Sequence, residues 1–393
     1  MSADPIVILS ARRTPIGSFQ GQFATTPAPR LGAAAIAAAV QESGVPPAEV
    51  DEVLMGCCLM AGLGQAPARQ ALIHAGLPHS VPATTLTKMC GSGMKTVALG
   101  HDLLRAESAR VVVAGGMESM SNAPYLLPTA RTGQRLGHGQ TLDHMFFDGL
   151  QDAYGHELMG HYADLIAEEY GVTRAEQDAY AIESVRRAQA AVAEGAFARE
   201  ITPVQPAGSA LEALAQDETP GKCRPAKIAQ LKPAFRPHGT ITPASSASIS
   251  DGAAALVLTR ASLAQSRGWV AQARIVAHTT HAADPARFAT APVEAIRQLM
   301  NKTGWQAADV DLYEINEAFA VVTLIAMREL SLPADKVNVL GGACAMGHPI
   351  GATGARIVVT LLHALRSRGL SRGIASLCIG GGEAMALAIE VVK

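Results

Sequence analysis

Two cysteines in glycine-rich settings carry the reactive possibilities of this chain. Cys90 lies in Thr87-Lys88-Met89-Cys90-Gly91-Ser92-Gly93-Met94-Lys95, and Cys378 in Ser376-Leu377-Cys378-Ile379-Gly380-Gly381-Gly382. Between them stand Asn316-Glu317-Ala318-Phe319-Ala320 and Gly347-His348-Pro349-Ile350-Gly351. One sulfur acting as nucleophile and the other as acid/base, with a histidine and an asparagine to manage charge, suits acyl transfer between thioesters.

Each residue also has a plain structural reading. Cys90 follows a β-rich stretch and opens a helix, whose N-terminal partial charge favours thiolate. Gly91 and Gly93 let backbone N–H groups approach a substrate. The same cysteine is equally a small buried hydrophobe. His348 sits beside Pro349 at the start of a helix, where the dipole disfavours imidazolium. A neutral ring there can take a proton from Cys90 or donate to an oxyanion. Asn316 ends a strand and starts the helix containing Glu317, so it is either an N-cap or the holder of a water that donates to an oxyanion. After Cys378, the N–H groups of Ile379, Gly380 and Gly381 can form an oxyanion hole, or simply a tight turn between core strands. The glycine runs match neither a Walker A loop nor a G-x-G-x-x-G fingerprint.

The elements that must position these residues follow from composition and pattern. The 393 residues are 49% hydrophobic and 17% charged, which suits two or three well-buried domains and not a disordered chain. A net charge of −2 provides no global field for nucleic acid or an anionic membrane. No run reaches the ~18 apolar residues of a membrane span. Neither terminus reads as a signal peptide or a peroxisomal address, so a cytoplasmic location is expected. Cys57, Cys58, Cys90, Cys223, Cys344 and Cys378 form no C-x-x-C pair. Disulfides and a zinc site are therefore not expected.

Strand and helix alternate. Strands are expected over 5–10, 53–57, 84–89 and 111–114, and helices over 31–42, over 66–75 and from about 90, giving parallel or mixed sheets covered by helices. The second half repeats the first. Ala35-Ile36, Gly44, Ala48, Val50 and Asp51 answer Ala295-Ile296, Gly304, Ala308, Val310 and Asp311 at a constant offset, and Cys90-x-x-Gly93 answers His348-x-x-Gly351. Duplication places Cys90 and His348 at equivalent helix N-termini facing one seam. Residues 118–250 break the pattern. There Thr173-x-x-Glu176 reads as a capping box opening a helix to Ala193, followed by a Pro-rich part over 203–243. An insert of this length reads as a functional cover.

With these residues in hand, the chain resembles the thiolases, most closely their acetyl-CoA acetyltransferase branch. The resemblance covers nearly the whole sequence. It rests on Cys90-Gly91-Ser92-Gly93, Asn316-Glu317-Ala318-Phe319, Gly347-His348-Pro349-Ile350-Gly351 and Cys378-Ile379-Gly380-Gly381-Gly382, with Gly115-Gly116-Met117-Glu118-Ser119-Met120 and Ser250-Asp251-Gly252-Ala253-Ala254 in support. It implies an α/β fold with a five-layer α-β-α-β-α core of two duplicated halves and an inserted loop domain. The halves would be 1–117, with 251–270 returning to it, and 271–393. The insert, 118–250, would cover the active site and bind coenzyme A.

The resemblance also implies roles. Cys90 would be acylated with His348 taking its proton, and Cys378 would deprotonate a second acetyl-CoA, whose enolate attacks the acyl-enzyme. His348 and an Asn316-bound water would hold the enolate, and the N–H groups of Cys90 and Gly380 the tetrahedral oxyanion. Met159 would line the acyl pocket, and Phe235 and Phe319 would pack on the pantetheine. Ala247 stands where the family commonly has a serine at the pantetheine amide, leaving Ser246 and Ser248 as substitutes. Lys222, Arg224 and Lys227 would face the coenzyme A phosphates. Acyl-CoA thioesters are the implied partners, coenzyme A being substrate and product, with no permanent cofactor, no metal, no nucleic acid and no membrane. A homotetramer built as a dimer of dimers and a place in fatty acid metabolism are implied as well. Two other readings stand beside this one: a broader-range 3-ketoacyl-CoA thiolase of fatty-acid or aromatic-acid breakdown, and a non-catalytic acyl-CoA-binding scaffold.

Overall fold

The computed structural model describes residues 4–208 and 212–392. Residues 1–3 and 393, part of the termini read above for address signals, and residues 209–211 of the Pro-rich stretch lie outside the described residues. The first half supplies β1 (Ile6–Arg13), α1 (Ala28–Ser43), β2 (Glu52–Gly56), β3 (Ala83–Leu86), α2 (Ser92–Arg105) and β4 (Val111–Ser119). The insert carries α3 (Met159–Glu169) and α4 (Arg174–Ala193), and β5 (Ser250–Arg260) returns to the first half. The second half supplies β6 (Ala273–Ala282), α5 (Ala291–Thr303), β7 (Leu312–Ile315), α6 (Ala320–Glu329), α7 (Ile350–Ser367), β8 (Arg372–Ile379) and β9 (Glu383–Val391).

The strands form one mixed sheet in the order β7-β8-β9-β6-β1-β5-β4-β2-β3, with the short strand Gly17–Ser18 beside β5. Its two halves meet only where Ile6, Val7 and Ile8 of β1 pair antiparallel with Ile275, Arg274 and Ala273 of β6. Three hydrophobic clusters set out five layers. One lies between α1 and the first half-sheet, and one between the second half-sheet and α5 and α6. The third sandwiches α2 and α7 between the two half-sheets. Helix α7 is buried on every face from Ile350 to Leu365, as a central-layer helix must be.

The sequence repeat is visible as matched local devices. Helix α1 ends at Gly44 with φ 70° and α5 at Gly304 with φ 72°, the left-handed cap that glycine adopts without strain. Asp51 Oδ2 accepts from the N–H groups of Arg110 and Val111 at 2.8 and 2.9 Å, and Asp311 Oδ2 from those of Ser371 and Arg372 at 2.9 and 2.8 Å. Each aspartate clips the start of its half's β2- or β7-type strand to the strand beside it.

Two local expectations are revised. The strand expected over 84–89 ends at Leu86, because the chain turns through Met89, which has φ 47°. The glycines beside Cys90 serve packing. A Cβ on Gly93 would sit 2.7 Å from the Ala355 nitrogen, and one on Gly354 would sit 2.4 Å from that of Met94. Gly93 therefore lets α2 and α7 cross in backbone contact, and a Cβ on Gly91 would strike Ile379.

In the insert, Thr173 and Glu176 make the reciprocal capping box that opens α4. Arg13, fully buried, binds Glu200 and Asp217 of the insert at 2.5–2.9 Å. No helix among the described residues is long and apolar enough to cross a membrane.

Candidate active site

Duplication sets the address. Cys90 stands two residues ahead of α2, and His348 two residues ahead of α7. Cys90 is held in a turn by Gly91 N–H to the Lys88 carbonyl (3.0 Å) and Ser92 N–H to the Met89 carbonyl (2.9 Å). The N–H groups of Gly380 and of Cys90 itself are aimed at its sulfur, as an oxyanion hole requires. The expectation of a thiolate favoured by the helix dipole is overturned. Burial pushes the Cys90 thiol up to about 11, and the two N–H groups offset only part of that. Desolvation of the anion is the largest influence on this sulfur.

Cys378 is buried near the end of β8, paired with Ala384 across the hairpin. Burial, then the proximity of Cys90, raises its thiol well above the usual range. Gly381 and Gly382, with φ 92° and 82°, make the turn, whereas Gly380 needs no left-handed backbone. Glu383 pairs with Lys88, tying the Cys378 hairpin to the Cys90 turn.

His348 is 8% exposed, and its backbone N–H donates to the Ser248 carbonyl at 3.0 Å. Gly347 precedes it with φ 105°, and a Cβ there would lie 2.0 Å from Ser250 Oγ. The ring Nδ1 is 2.7 Å from Thr353 Oγ1, which itself donates to the Pro349 carbonyl at 3.0 Å. That hydroxyl has one hydrogen, so it accepts from Nδ1–H and leaves Nε2 as a lone pair. Nε2 is buried without a protein partner. The ring is held neutral as expected, down to about 3, but the cause is burial and then Arg356.

Asn316 is not an N-cap. Helix α6 starts at Ala320, with Phe319 at the capping position, so neither Asn316 nor Glu317 lies in it. The side chain of Asn316 is buried with both Oδ1 and Nδ2 unpartnered by protein. A buried amide with neither atom satisfied calls for a water or a substrate.

The residues expected to hold the acyl group and the pantetheine converge. A cavity of about 330 Å³ is lined by Met159, Phe235, Ser246, Ser248, Phe319 and His348 among mostly apolar neighbours. Phe235 and Phe319 meet edge to face at 5.8 Å. Ser246 Oγ is committed to the Thr242 carbonyl at 2.7 Å, while Ser248 Oγ has only a 3.4 Å contact to Ser250 and is the freer hydroxyl. The three cations do not line the cavity. Lys222 is bound to Glu218 and Ser18, Arg224 turns to the carbonyls of Gly221 and Cys223, and Lys227 lies in the short helix Pro225–Gln230.

Two buried carboxylates escaped sequence reasoning. Glu118 accepts from the N–H groups of Cys58, Leu59 and Gly351 at 2.9–3.1 Å, so it anchors the first turn of α7 behind His348. Glu317 accepts from Tyr180, Ser184, Asn338 and the Cys344 N–H at 2.7–3.0 Å, so it locks the backbone beside Asn316 to α4 of the insert. Their signal was present in the motifs Gly116-Met117-Glu118 and Asn316-Glu317, each with an acid among apolar residues.

Comparison with known proteins agrees with this geometry. Residues 6–262 match the family described as thiolase, N-terminal domain, and residues 269–391 the thiolase, C-terminal domain. The chain is 48% identical over 387 residues to the acetyl-CoA acetyltransferase of Pseudomonas aeruginosa, covering 98% of each chain. It is 48% identical over 387 residues to that of Escherichia coli, again covering 98% of each. Among solved structures it is similar to the Acat5 thiolase of Ascaris suum in complex with coenzyme A, with TM-score 0.94, 40% identity and coverage of 99% of this chain and 100% of that one. It is similar also to the Bacillus anthracis acetyl-CoA acetyltransferase, with TM-score 0.97, 40% identity and 99% coverage of each.

Proposed function

The chain belongs to the thiolase family, and from that premise we propose that it is an acetyl-CoA C-acetyltransferase. It joins two acetyl-CoA into acetoacetyl-CoA and coenzyme A, and thiolyses acetoacetyl-CoA in reverse. The observation that carries the mechanism is His348, its Nδ1 tied to Thr353 and its Nε2 left as an unpaired lone pair on the cavity.

A thiol at about 11 and an imidazole at about 3 do not exchange a proton in the resting site. Proton transfer from Cys90 to Nε2 therefore accompanies attack of the sulfur on the thioester carbonyl. The tetrahedral oxygen forms against the N–H groups of Cys90 and Gly380, and collapse expels the coenzyme A thiolate, which takes the Cys378 proton as it departs while Nε2 keeps the proton of Cys90. The Cys378 thiolate so formed takes a proton from the methyl carbon of a second acetyl-CoA. The enolate oxygen is held by Nε2–H of His348 and a water on the Asn316 amide while the carbanion attacks acyl-Cys90; collapse then expels the Cys90 sulfur, which regains its proton from Nε2. Buried, preorganised donors of this kind contribute on the order of 10²–10³ in rate each.

In this reading Met159, Phe235 and Phe319 hold the acyl-pantetheine and Ser248 takes its amide. The insert over 118–250 covers the site between the halves 1–117 (with 251–270) and 271–393, and Lys222, Arg224 and Lys227 stand outside the cavity for the phosphates. The protein works in the cytoplasm in fatty acid metabolism. It assembles as a homotetramer, which accounts for the exposed Tyr125, Leu127, Leu136, Phe147 and Tyr154 of one stretch.

Thiolysis rates of 3-ketoacyl-CoA substrates of increasing length test the assignment. Strong preference for the four-carbon substrate is expected. Equal or better rates on longer chains move it to a broad-range degradative thiolase, and no turnover of any by folded protein leaves a binding scaffold.

A further inference from the structure

Away from the cavity, one cluster of side chains has the composition and spacing of a cation site. His101 and Asp102 lie in the last turns of α2, and His278 lies on β6. His101 Nδ1 is 2.9 Å from Asp102 Oδ1, and His278 Nε2 is 3.0 Å from the same oxygen. The rings meet nearly at right angles with centroids 5.2 Å apart. One potential ligand atom from each residue lies within 4.8 Å of both others.

A first-row divalent ion at ~2.1 Å from each donor holds neighbouring donors roughly 3.0–3.4 Å apart. The two nitrogen–oxygen separations, 2.9 and 3.0 Å, lie at the short end of that spacing. Both imidazoles also address one carboxylate oxygen, and the two ring nitrogens lie within 4.8 Å of each other. Two imidazoles with one carboxylate suit zinc and its neighbours, not calcium or magnesium, which prefer all-oxygen shells. The rings are largely enclosed, at 16% and 17% side-chain exposure, while Asp102 is 52% exposed. The cluster is thus fixed from the protein side and open to water on the other. Lys302 holds the His278 carbonyl at 3.1 Å, which steadies the strand under its ring.

We propose that His101, Asp102 and His278 bind one divalent transition-metal ion of the zinc class, with water completing its shell. The ion clips the C-terminal end of the helix that follows Cys90 to β6, the first strand of the second half. Its role is to brace the seam between the halves, and it takes no part in the acyl transfer.

The test uses the full-length protein stripped with a chelator, then titrated with Zn²⁺ by calorimetry and thermal melting, and with Co²⁺ by absorption. Expected are one ion per chain, a melting temperature raised by on the order of a few degrees at saturation, and visible cobalt bands without a thiolate charge-transfer band. His278→Gln and Asp102→Ala weaken binding by at least ~10–100-fold, while Cys90→Ser and Cys378→Ser leave it intact. Near-ultraviolet circular dichroism and unchanged thiolysis by His278→Gln establish that this variant is folded. Absence of Zn²⁺ binding by the parent protein overturns the proposal, as does binding that survives in folded His278→Gln or disappears in the cysteine variants.

Discussion

The two halves of the core share a framework and differ in what they place at one address. Each has its glycine-capped outer helix, its aspartate clip and a central helix preceded by two residues of turn. In the first half that turn presents Cys90, a thiol facing two backbone N–H groups. In the second it presents His348, a ring with one nitrogen tied down and the other free. The second half alone also carries Asn316 at the end of β7 and Cys378 at the end of β8. Duplication supplies equivalent positions on two crossing helices, and substitution at those positions puts a thiol on one and an imidazole on the other, the pair proposed as nucleophile and base. The insert reinforces the asymmetry, because α4 braces the second half through Glu317.

The largest expected effect separates the two sulfurs. Cys90→Ala abolishes acylation by acetyl-CoA, lowering turnover by on the order of 10⁴ or more. Cys378→Ala still forms the acyl-enzyme, seen as one acetyl group per chain by mass spectrometry, but makes no carbon–carbon bond. Normal condensation by Cys378→Ala removes the second sulfur from the mechanism. Next, Asn316→Ala lowers kcat by about 10²–10³ with a smaller change in KM. An unaltered kcat would mean that the unpartnered amide holds nothing the reaction uses.

The tie on His348 is a finer test. Thr353→Val removes the acceptor for Nδ1–H, so the ring no longer favours the tautomer with Nε2 free. A fall of roughly 10-fold in kcat is expected, a part of the ~10²–10⁴ that a positioned acid–base group contributes, with acid stability little changed. The ring itself should govern acid stability. Its folded value lies below its unfolded one, so the unfolded chain binds the extra proton first. His348 therefore contributes full stability above about pH 6.5 and loses it as pH falls toward 3. Over that window His348→Asn should flatten the decline in denaturation midpoint, by up to about 1.4 kcal/mol per pH unit.

The smallest effects probe the turns around the sulfurs. Alkylation of Cys90 by iodoacetamide should keep accelerating above pH 9, since the thiol titrates near 11; a plateau near neutrality would restore the dipole-activated thiolate. Gly380→Ala should be tolerated, because a Cβ there meets nothing closer than 3.9 Å and the N–H remains. Gly382→Ala should destabilise the hairpin, since φ is 82° and a Cβ would lie 2.5 Å from the Asp284 carbonyl oxygen. Lys88→Met, which removes a partly exposed ion pair, should cost under about 1 kcal/mol in unfolding free energy.

The sequence by itself determined the inventory and the addresses. The internal repeat placed Cys90 and His348 at equivalent helix starts, the Thr173–Glu176 spacing opened α4, and the four motifs named Cys90, Asn316, His348 and Cys378, the residues proposed for the chemical steps. These are local or periodic signals, and local backbone geometry follows from them. The tertiary structure decided the electrostatics and the close approaches. Whether Cys90 is a thiolate depends on burial, and burial is set by segments hundreds of residues apart. That Asn316 is an unpartnered amide, not a cap, depends on where α6 begins and on what surrounds the end of β7. Gly93 faces Ala355 only because α2 and α7 cross in contact, and Glu118 reaches Gly351 only across that same seam. Desolvation and packing are sums over neighbours in space, so they came into being only when the two halves closed on each other.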